Sequence, residues 1–436
     1  MALLGSSLSQ IHFARRSACA ALLALAALPS WAQFRVEISG VGATQLPIAV
    51  VRFRDEDKTA QSISTIIRAD LERSGAFRIV DTQTTSFDET ARPEMAQWRS
   101  RAADALVGGS VTRLADGRYD VRFKLWDVVK GGELGGQSSA VEAGDLRLAA
   151  HRIADFIYEK LTGEKGVFST RIAYVTRSGS RYTLRVADAD GENGQVALNS
   201  GQPIISPAWS PNGKELAYVS FERQKAVVFV HNVASGERRP IADFRGSNSA
   251  PAWAPDGERL AVTLSREGGS QLFSIGKNGG EPRRLASSSA IDTEAEYSAD
   301  GRWLYFTSDR GGAPQIYRMA AAGGGGAERV TFSGGYNISA TVSPDGRTLA
   351  YVTRAGNAFR LAVLDLSTPG AQPQLITDTS DDEHPSFAPN GRLLIYATRA
   401  QGRTVLMTTT LDGKIKARLP SQTADLREPV WGPYGR

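Results

Sequence analysis

Residues 339–353 read SATVSPDGRTLAYVT. Ser343-Pro344-Asp345-Gly346 has the chemistry of a type I turn: Ser opens it, Pro brings a preset φ, Asp sits third and Gly closes it. A left-handed Gly346 completes a three-residue hairpin loop with a bulge. Val342 should therefore end one strand, and the apolar run after Gly346 should form the next. The pattern recurs as SPAWSPNGKELAYVS (206–220), APAWAPDGERLAVTL (250–264), EAEYSADGRWLYFTS (294–308) and HPSFAPNGRLLIYAT (384–398). A shorter copy, EPVWGPYGR, occupies 428–436. The turn glycines are Gly213, Gly257, Gly301, Gly346, Gly391 and Gly435, spaced 44 or 45 residues apart.

A period in the forties with short β-rich runs and no helical stripe points to propeller blades. Trp209, Trp253, Tyr297, Val342, Phe387 and Trp431 are expected to end the first strand of each unit. The following runs, such as Leu216–Val219, are apolar on both faces, as a strand packed between neighbouring blades must be. Third strands are read at 271–275 and 315–319, fourth strands at 283–285 and 328–331, so each unit has the four strands of a blade. The 428–436 copy lacks a second strand. The stretch Thr170–Thr176 has that character with no turn motif before it. Pairing the two would make a sixth blade, close the ring and remove two exposed sheet edges.

Residues 33–163 carry no repeat. Strands are expected at 46–53 and 77–80, a helix at 58–74 with Ile63, Ile66, Ile67 and Leu71 on one side, and a short helix at 93–102. Ala105–Leu114 and Tyr119–Val129 read as a hairpin around Asp116-Gly117. Asp145–Leu161 is a helix capped by Asp145, with Leu146, Ala149, Ile153, Phe156, Ile157 and Leu161 as its stripe. The fold class is thus a small N-terminal α/β domain (33–163) joined by a short linker to a six-bladed all-β propeller (167–436) closed by pairing of the chain ends.

Length alone calls for two or three domains. The composition, 41% hydrophobic and 22% charged, is globular. A net charge of +5 over 436 residues is too weak a basic excess to argue for nucleic acid. Residues 1–32 read as an export signal: Arg15-Arg16, an apolar stretch from Ala18 to Leu28, then small Ser30 and Ala32 before a cleavage site. Paired arginines also occur in twin-arginine signals, but Ser17-Ala18-Cys19 lacks their bulky residue, which favours general secretion. Cys19 is the single cysteine and falls inside that signal, so the mature chain is expected to have neither disulfide nor thiolate chemistry. No later run is apolar enough to span a membrane.

Catalysis finds little support. His151, His231 and His384 are far apart, no His/Cys cluster has metal-ligand spacing, and no Gly-x-Ser-x-Gly elbow occurs. Gly131-Gly132 and Gly323–Gly326 lack phosphate-loop context and read as flexible turns. Asp381-Asp382-Glu383 lacks calcium-loop spacing and reads as a solvated acidic loop. No cofactor and no metal are expected. What remains is a binding surface built by the loops that lead into the first strands: Ser247, Asn248 and Ala250; Asp292, Thr293 and Glu294; Tyr336, Asn337 and Ser339; Asp382, Glu383 and His384; Arg427 and Glu428. They are polar, differ between blades and converge on one funnel, where a rigid scaffold usually carries recognition.

Ser308-Asp-Arg-Gly-Gly-Ala-Pro-Gln-Ile-Tyr-Arg-Met319 resembles the TolB-family signature. Lys416-Ala-Arg-Leu-Pro420 followed by Trp431-Gly-Pro-Tyr434 does so too. The order of exported start, α/β domain, six repeats and shortened last repeat is similar throughout. The resemblance implies a periplasmic, non-enzymatic component of the Tol–Pal system of a Gram-negative bacterium. It implies that the funnel binds the lipoprotein Pal, with Thr293 and Glu294 carrying over well, and that colicin-type toxins can exploit the same funnel. Ser247 departs from the family, standing where some members have histidine. The mature N-terminal stretch (Gln33, Phe34, Arg35, Val36, Glu37, Ile38, onward to about Thr44) is implied to contact TolA. Arg35, Val36 and Ile38 alternate ahead of Gly40 and Gly42, as an arm that can dock or add a strand to a partner would. The role implied is outer-membrane integrity and constriction at division, by a monomer that neither spans the membrane nor binds nucleic acid. Two other classes stay open on the residues alone: a peptidase or sugar-active propeller, which needs convergent catalytic groups, and a glycan-binding wall adaptor, which needs exposed aromatics where the loops offer mainly Tyr336.

Overall fold

The computed structural model describes residues 35–38, 45–83, 85–420 and 424–435. The expected signal segment 1–32, together with Gln33, Phe34, Gly40 and Gly42, lies outside them.

The N-terminal domain is a five-stranded sheet in the order Phe77–Ile79, Leu46–Val50, Ala105–Arg113, Tyr119–Asp127, Gly132–Val141. The first two pairings are parallel and the others antiparallel. Alternation along the strands divides the side chains between two cores. Ile48, Val50, Val121, Phe123 and Leu125 pack with helix α1 (Ile63–Arg73) and a long helix (Leu146–Thr162) on one face. Ala49, Val51, Leu106 and Trp126 pack with Trp98 of the short helix α2 (Met95–Ser100) on the other. We call the long helix α3. Asp145 precedes α3, but its side chain makes no cap bond. A short 3-10 turn, Ala143–Asp145, leads into the helix instead, with the Asp145 N–H on the Glu142 carbonyl at 3.0 Å. The turn expected at Gly131-Gly132 is present, with Gly131 at φ 75° donating its N–H to the Asp127 carbonyl at 2.9 Å, and Gly132 opens an unexpected strand, Gly132–Val141. Its Gly, Ser and Gln residues are mostly exposed, so no apolar alternation announces it.

Six antiparallel sheets follow the repeats, five of four strands and one, blade V, of five. Blade I comprises Ile204–Trp209, Glu215–Ser220, Val227–Asn232 and Arg238–Ala242. Blades II to V start with Asn248–Trp253, Asp292–Tyr297, Asn337–Val342 and Glu383–Phe387. The first strands end on the residues expected from the turn motif. The Gly346 N–H donates to the Ser343 carbonyl at 2.8 Å with Gly346 at φ 71°. Blade VI is ordered Asp425–Trp431, Arg171–Ser178, Arg181–Asp188, Gln195–Ser200. Its innermost strand thus comes from the C-terminal stretch and its other three from the stretch after the linker. Trp431 faces Ile172 across that pairing, is buried, and donates its indole N–H to Thr170 Oγ1 at 2.8 Å.

Backbone 35–38 forms a strand antiparallel to Ile415–Arg418, a fifth strand on the outer edge of blade V. The N-terminal domain meets the turn side of the ring. Asp155 of α3 accepts the backbone N–H groups of Phe168 and Ser169 at 2.7 and 3.1 Å. Glu164 pairs with Arg392, whose Nε lies 2.7 Å from a carboxylate oxygen. The opposite face, where the leading loops converge, is left clear by these contacts.

Candidate functional site

Every innermost strand breaks its pairing at one place. The register shifts between Ile205 and Ala208 in blade I and at the equivalent step in the other five. At each break one residue is left-handed: Ser206, Ala250, Glu294, Ser339, His384 and Glu428, with φ between 46° and 54°. None is glycine, although this conformation costs an L-residue roughly 1–2 kcal/mol. A bulge aims its side chain away from the ladder. Six such bulges around one axis form a ring of side chains at the channel mouth.

The ring is wired from blade to blade. Glu294 accepts the Ser339 N–H at 2.9 Å and the Ser339 and Thr307 hydroxyls at 3.1 Å. Glu428 accepts the Ser206 N–H at 3.0 Å, and His384 Nε2 lies 3.1 Å from the same carboxylate. Crowding at the mouth disfavours a charged His384 ring, but Glu428, Glu294 and Glu383 outweigh it and raise the imidazole pKa. Deeper in the channel, Glu296 accepts the Thr341 hydroxyl at 2.8 Å and the Val342 N–H at 3.1 Å. Burial nevertheless pushes its carboxyl up to about 7.

Beside the ring opens a cavity of about 570 Å³, walled by Glu294, Ser339, Glu383, His384 and Arg427 and by the unanticipated Ile338, Phe359, Arg399 and Asp425. The new wall has a traceable cause. Second strands run eight residues in blades IV, V and VI (Thr348–Ala355, Leu393–Ala400, Arg171–Ser178) but six in blades I to III. The longer hairpins rise over one side of the mouth. The doubled Thr-Arg-Ala after the apolar runs, at 353–355 and 398–400, was the signal in the sequence. Tyr336 packs edge-on against Phe359, ring centroids 5.9 Å apart. Ile291 and Phe332, in the loops leading into blades III and IV, are exposed at 52% and 75%.

Four residues expected as contacts, Asn248, Asp292, Asn337 and Asp382, are instead interior ties. Asn248 has no exposed surface and donates to the carbonyls of Ala226, Phe244 and Gly246 while accepting the Phe244 N–H. Asp292 accepts from Ser288 at 2.7 Å and Arg310 at 2.8 Å; Asn337 donates to Gln315 at 2.7 Å and to the Ser333 carbonyl at 2.9 Å. Buried polar groups are retained where they satisfy loop backbone that would otherwise be orphaned. Asp382 is the same position in blade V, bonded by Thr377 and Thr379, so the acidic loop there is not simply solvated. Ser247, Ala250, Thr293, Glu294, Tyr336, Ser339, Glu383, His384, Arg427 and Glu428 keep surface at or beside the mouth.

His231 is buried beside Tyr218, and burial lowers its pKa. His151 joins Asp70 and Asp190, the one group of three possible metal-ligating side chains found among the described residues. No helix among the described residues is long and apolar enough to cross a membrane.

Residues 158–435 match the profile described as the TolB beta propeller domain, and 34–134 match the TolB amino-terminal domain. The chain belongs to the TolB family. The crystal structure of TolB from Acinetobacter baumannii superposes with a TM-score of 0.84 at 37% identity, covering 92% of this chain and all of that one. Tol-Pal system protein TolB of Albidiferax ferrireducens is 67% identical over 229 residues, 52% of this chain and 54% of the relative. Its counterpart from Polaromonas sp. strain JS666 is 63% identical over the same shares. The chain therefore spans about half the length of the curated relatives it matches. In TolB-family terms, the bulge ring and its side cavity lie in the domain the family profile covers from 158 to 435.

Proposed function

We propose that this TolB-family protein is a periplasmic, non-enzymatic coupling component of the Tol–Pal system, exported by residues 1–32. Its propeller mouth binds Pal, and its N-terminal arm from Gln33 to about Thr44 binds TolA. Together these contacts support outer-membrane integrity and inward constriction at division. Colicin-type toxins use the same mouth.

The observation that carries the reading is the convergence of blades III to VI on one mouth, where Glu294, Ser339, His384 and Glu428 are held by neighbouring blades. Such a surface is pre-formed, so little ordering is required on association. Exposed Ile291 and Phe332 and the half-exposed Phe359 surround polar groups, the mix that protein interfaces use. For the arm, the support is that backbone 35–38 adds a strand at a sheet edge, a pairing another protein's edge could replace. If Pal binding biases that choice, the arm's state must change Pal affinity by the same factor.

Calorimetric titration with soluble Pal tests the mouth. Thr293→Arg should weaken Pal by about tenfold or more, worth about 1.4 kcal/mol, with the melting curve unchanged. Wild-type affinity in that variant would sink the assignment. Deleting 33–44 should abolish TolA binding and shift Pal affinity; no change in either would sink the arm's role.

A further inference from the structure

We propose that His151, as an imidazolium, is the pin of a protonation-dependent latch between the N-terminal domain and blade VI. This inference does not depend on the binding reading above.

The cluster joins three elements. Helix α1 contributes Asp70 and Arg73, and α3 contributes Arg147 and His151, one turn apart on the same face. Blade VI contributes Asp188, at the end of its third strand, and Asp190 in the following turn. His151 Nδ1 lies 2.6 Å from Asp70 Oδ2, and Arg73 holds the other Asp70 oxygen at 2.8 Å. Across the domain boundary, Arg147 Nε lies 3.2 Å from Asp188, and its guanidinium also pairs with Asp190. His151 Nε2 faces both propeller carboxylates at 3.8 Å and has no hydrogen-bond partner. His151 is wholly buried, and Asp70, Arg73, Asp188 and Asp190 are nearly so.

The bond to Asp70 assigns a proton to Nδ1, because a carboxylate only accepts. Nε2 then carries either a lone pair aimed at two carboxylates or a second proton aimed at them. Three carboxylates face two guanidiniums, so one negative charge remains, and an uncompensated buried charge is costly. A protonated His151 cancels it and joins Asp70 to Asp188 and Asp190. Burial alone disfavours that charge, but Asp70 and Asp190 overcome it and raise the imidazole pKa. Two more carboxyls border the cluster: Glu192, beside the turn, interacts with Arg147, Asp190 and Asp188, and Asp155, next along α3, with Asp70; burial raises the pKa of both. A divalent cation fits less well, since Arg73 and Arg147 already occupy carboxylate oxygens and the total charge would become positive.

Deprotonation would cut the charge that the N-terminal domain sets against Asp188 and Asp190 from +2 to +1 and leave an Nε2 lone pair facing them, so the attraction across the boundary weakens while the Arg147 and Glu164–Arg392 pairs and the Asp155 ties persist. Loosening should therefore be local to the 188–192 turn.

Hydrogen exchange of the mature chain tests this. With intrinsic exchange corrected, amides of 188–192 should open on the order of tenfold faster at about pH 9 than at about pH 6. The equivalent blade I turn, 233–236, should not change. His151→Gln should be fast at both values. Should that variant not fold, side-chain nitrogen NMR of the wild type decides: two protonated ring nitrogens at neutral pH support the latch. A neutral ring at neutral pH, pH-independent exchange of the turn, or protection by zinc added after chelation would each overturn it.

Discussion

His384 of blade V lies 3.1 Å from a Glu428 oxygen of blade VI, and that oxygen accepts the backbone N–H of Ser206 in blade I. One carboxylate thus joins three blades at the mouth, across the place where the two ends of the repeat array meet. Against the burial that disfavours a charged ring, it is also the foremost of three carboxylates that raise the pKa of His384, the only histidine found there among the described residues.

Glu428→Gln should keep the shape and remove the charge. The His384 titration midpoint, followed by NMR, should fall. Because folding raises the His384 pKa above 6.5, its contribution is complete below that pH and is lost as pH rises through the folded value. The variant should flatten this pH dependence and cost about 1–3 kcal/mol at low pH, the scale of a hydrogen bond to a charged group. An unshifted midpoint would show that the pair does not interact.

Trp431→Ala should cost about 3–5 kcal/mol, as large-to-small replacements of buried aromatics do. The indole is buried and its N–H satisfies Thr170 from the far end of the propeller. Denaturant unfolding measures the loss, and deleting 428–436 should cost at least as much. A truncated chain with unchanged stability would mean that the sixth sheet does not need its C-terminal strand.

Glu296→Gln concerns the channel interior. Burial raises the carboxyl to about 7, so the wild type takes up a proton on folding at mildly acid pH. Its contribution is complete below about pH 4.5 and is lost as pH rises through about 7, by at most about 3 kcal/mol. The glutamine carbonyl can still accept from Thr341 and Val342. The variant should therefore gain on the wild type as pH rises from 5 to 8 on the order of these values, visible as converging or crossing melting temperatures. Parallel curves would contradict the shift.

Asn248→Ala separates an interior tie from a contact. Losing it strands the Phe244 N–H and several carbonyls, at about 1–3 kcal/mol. Hydrogen exchange in 244–248 should accelerate, while exchange at 292–294 and 337–339 stays unchanged. Normal protection of the 244–248 loop would return Asn248 to the list of candidate contacts.

Turn chemistry and side-chain period were legible because they act between near neighbours. Ser-Pro-Asp-Gly and its variants placed the ends of six strands, from Trp209 to Trp431, and the stripe from Leu146 to Leu161 placed α3. The strand Gly132–Val141 stayed hidden because its polar, exposed residues carry no period. Only the tertiary structure decided which loop residues turn inward, since Asn248, Asp292 and Asn337 look as polar as Thr293 or Glu383. Their placement depends on which distant backbone groups need partners. The left-handed ring from Ser206 to Glu428 and the union of Asp70, His151 and Asp190 are of the same kind. Those groups lie tens to hundreds of residues apart, and local propensity does not reach that far; closing a ring and docking a domain bring them together.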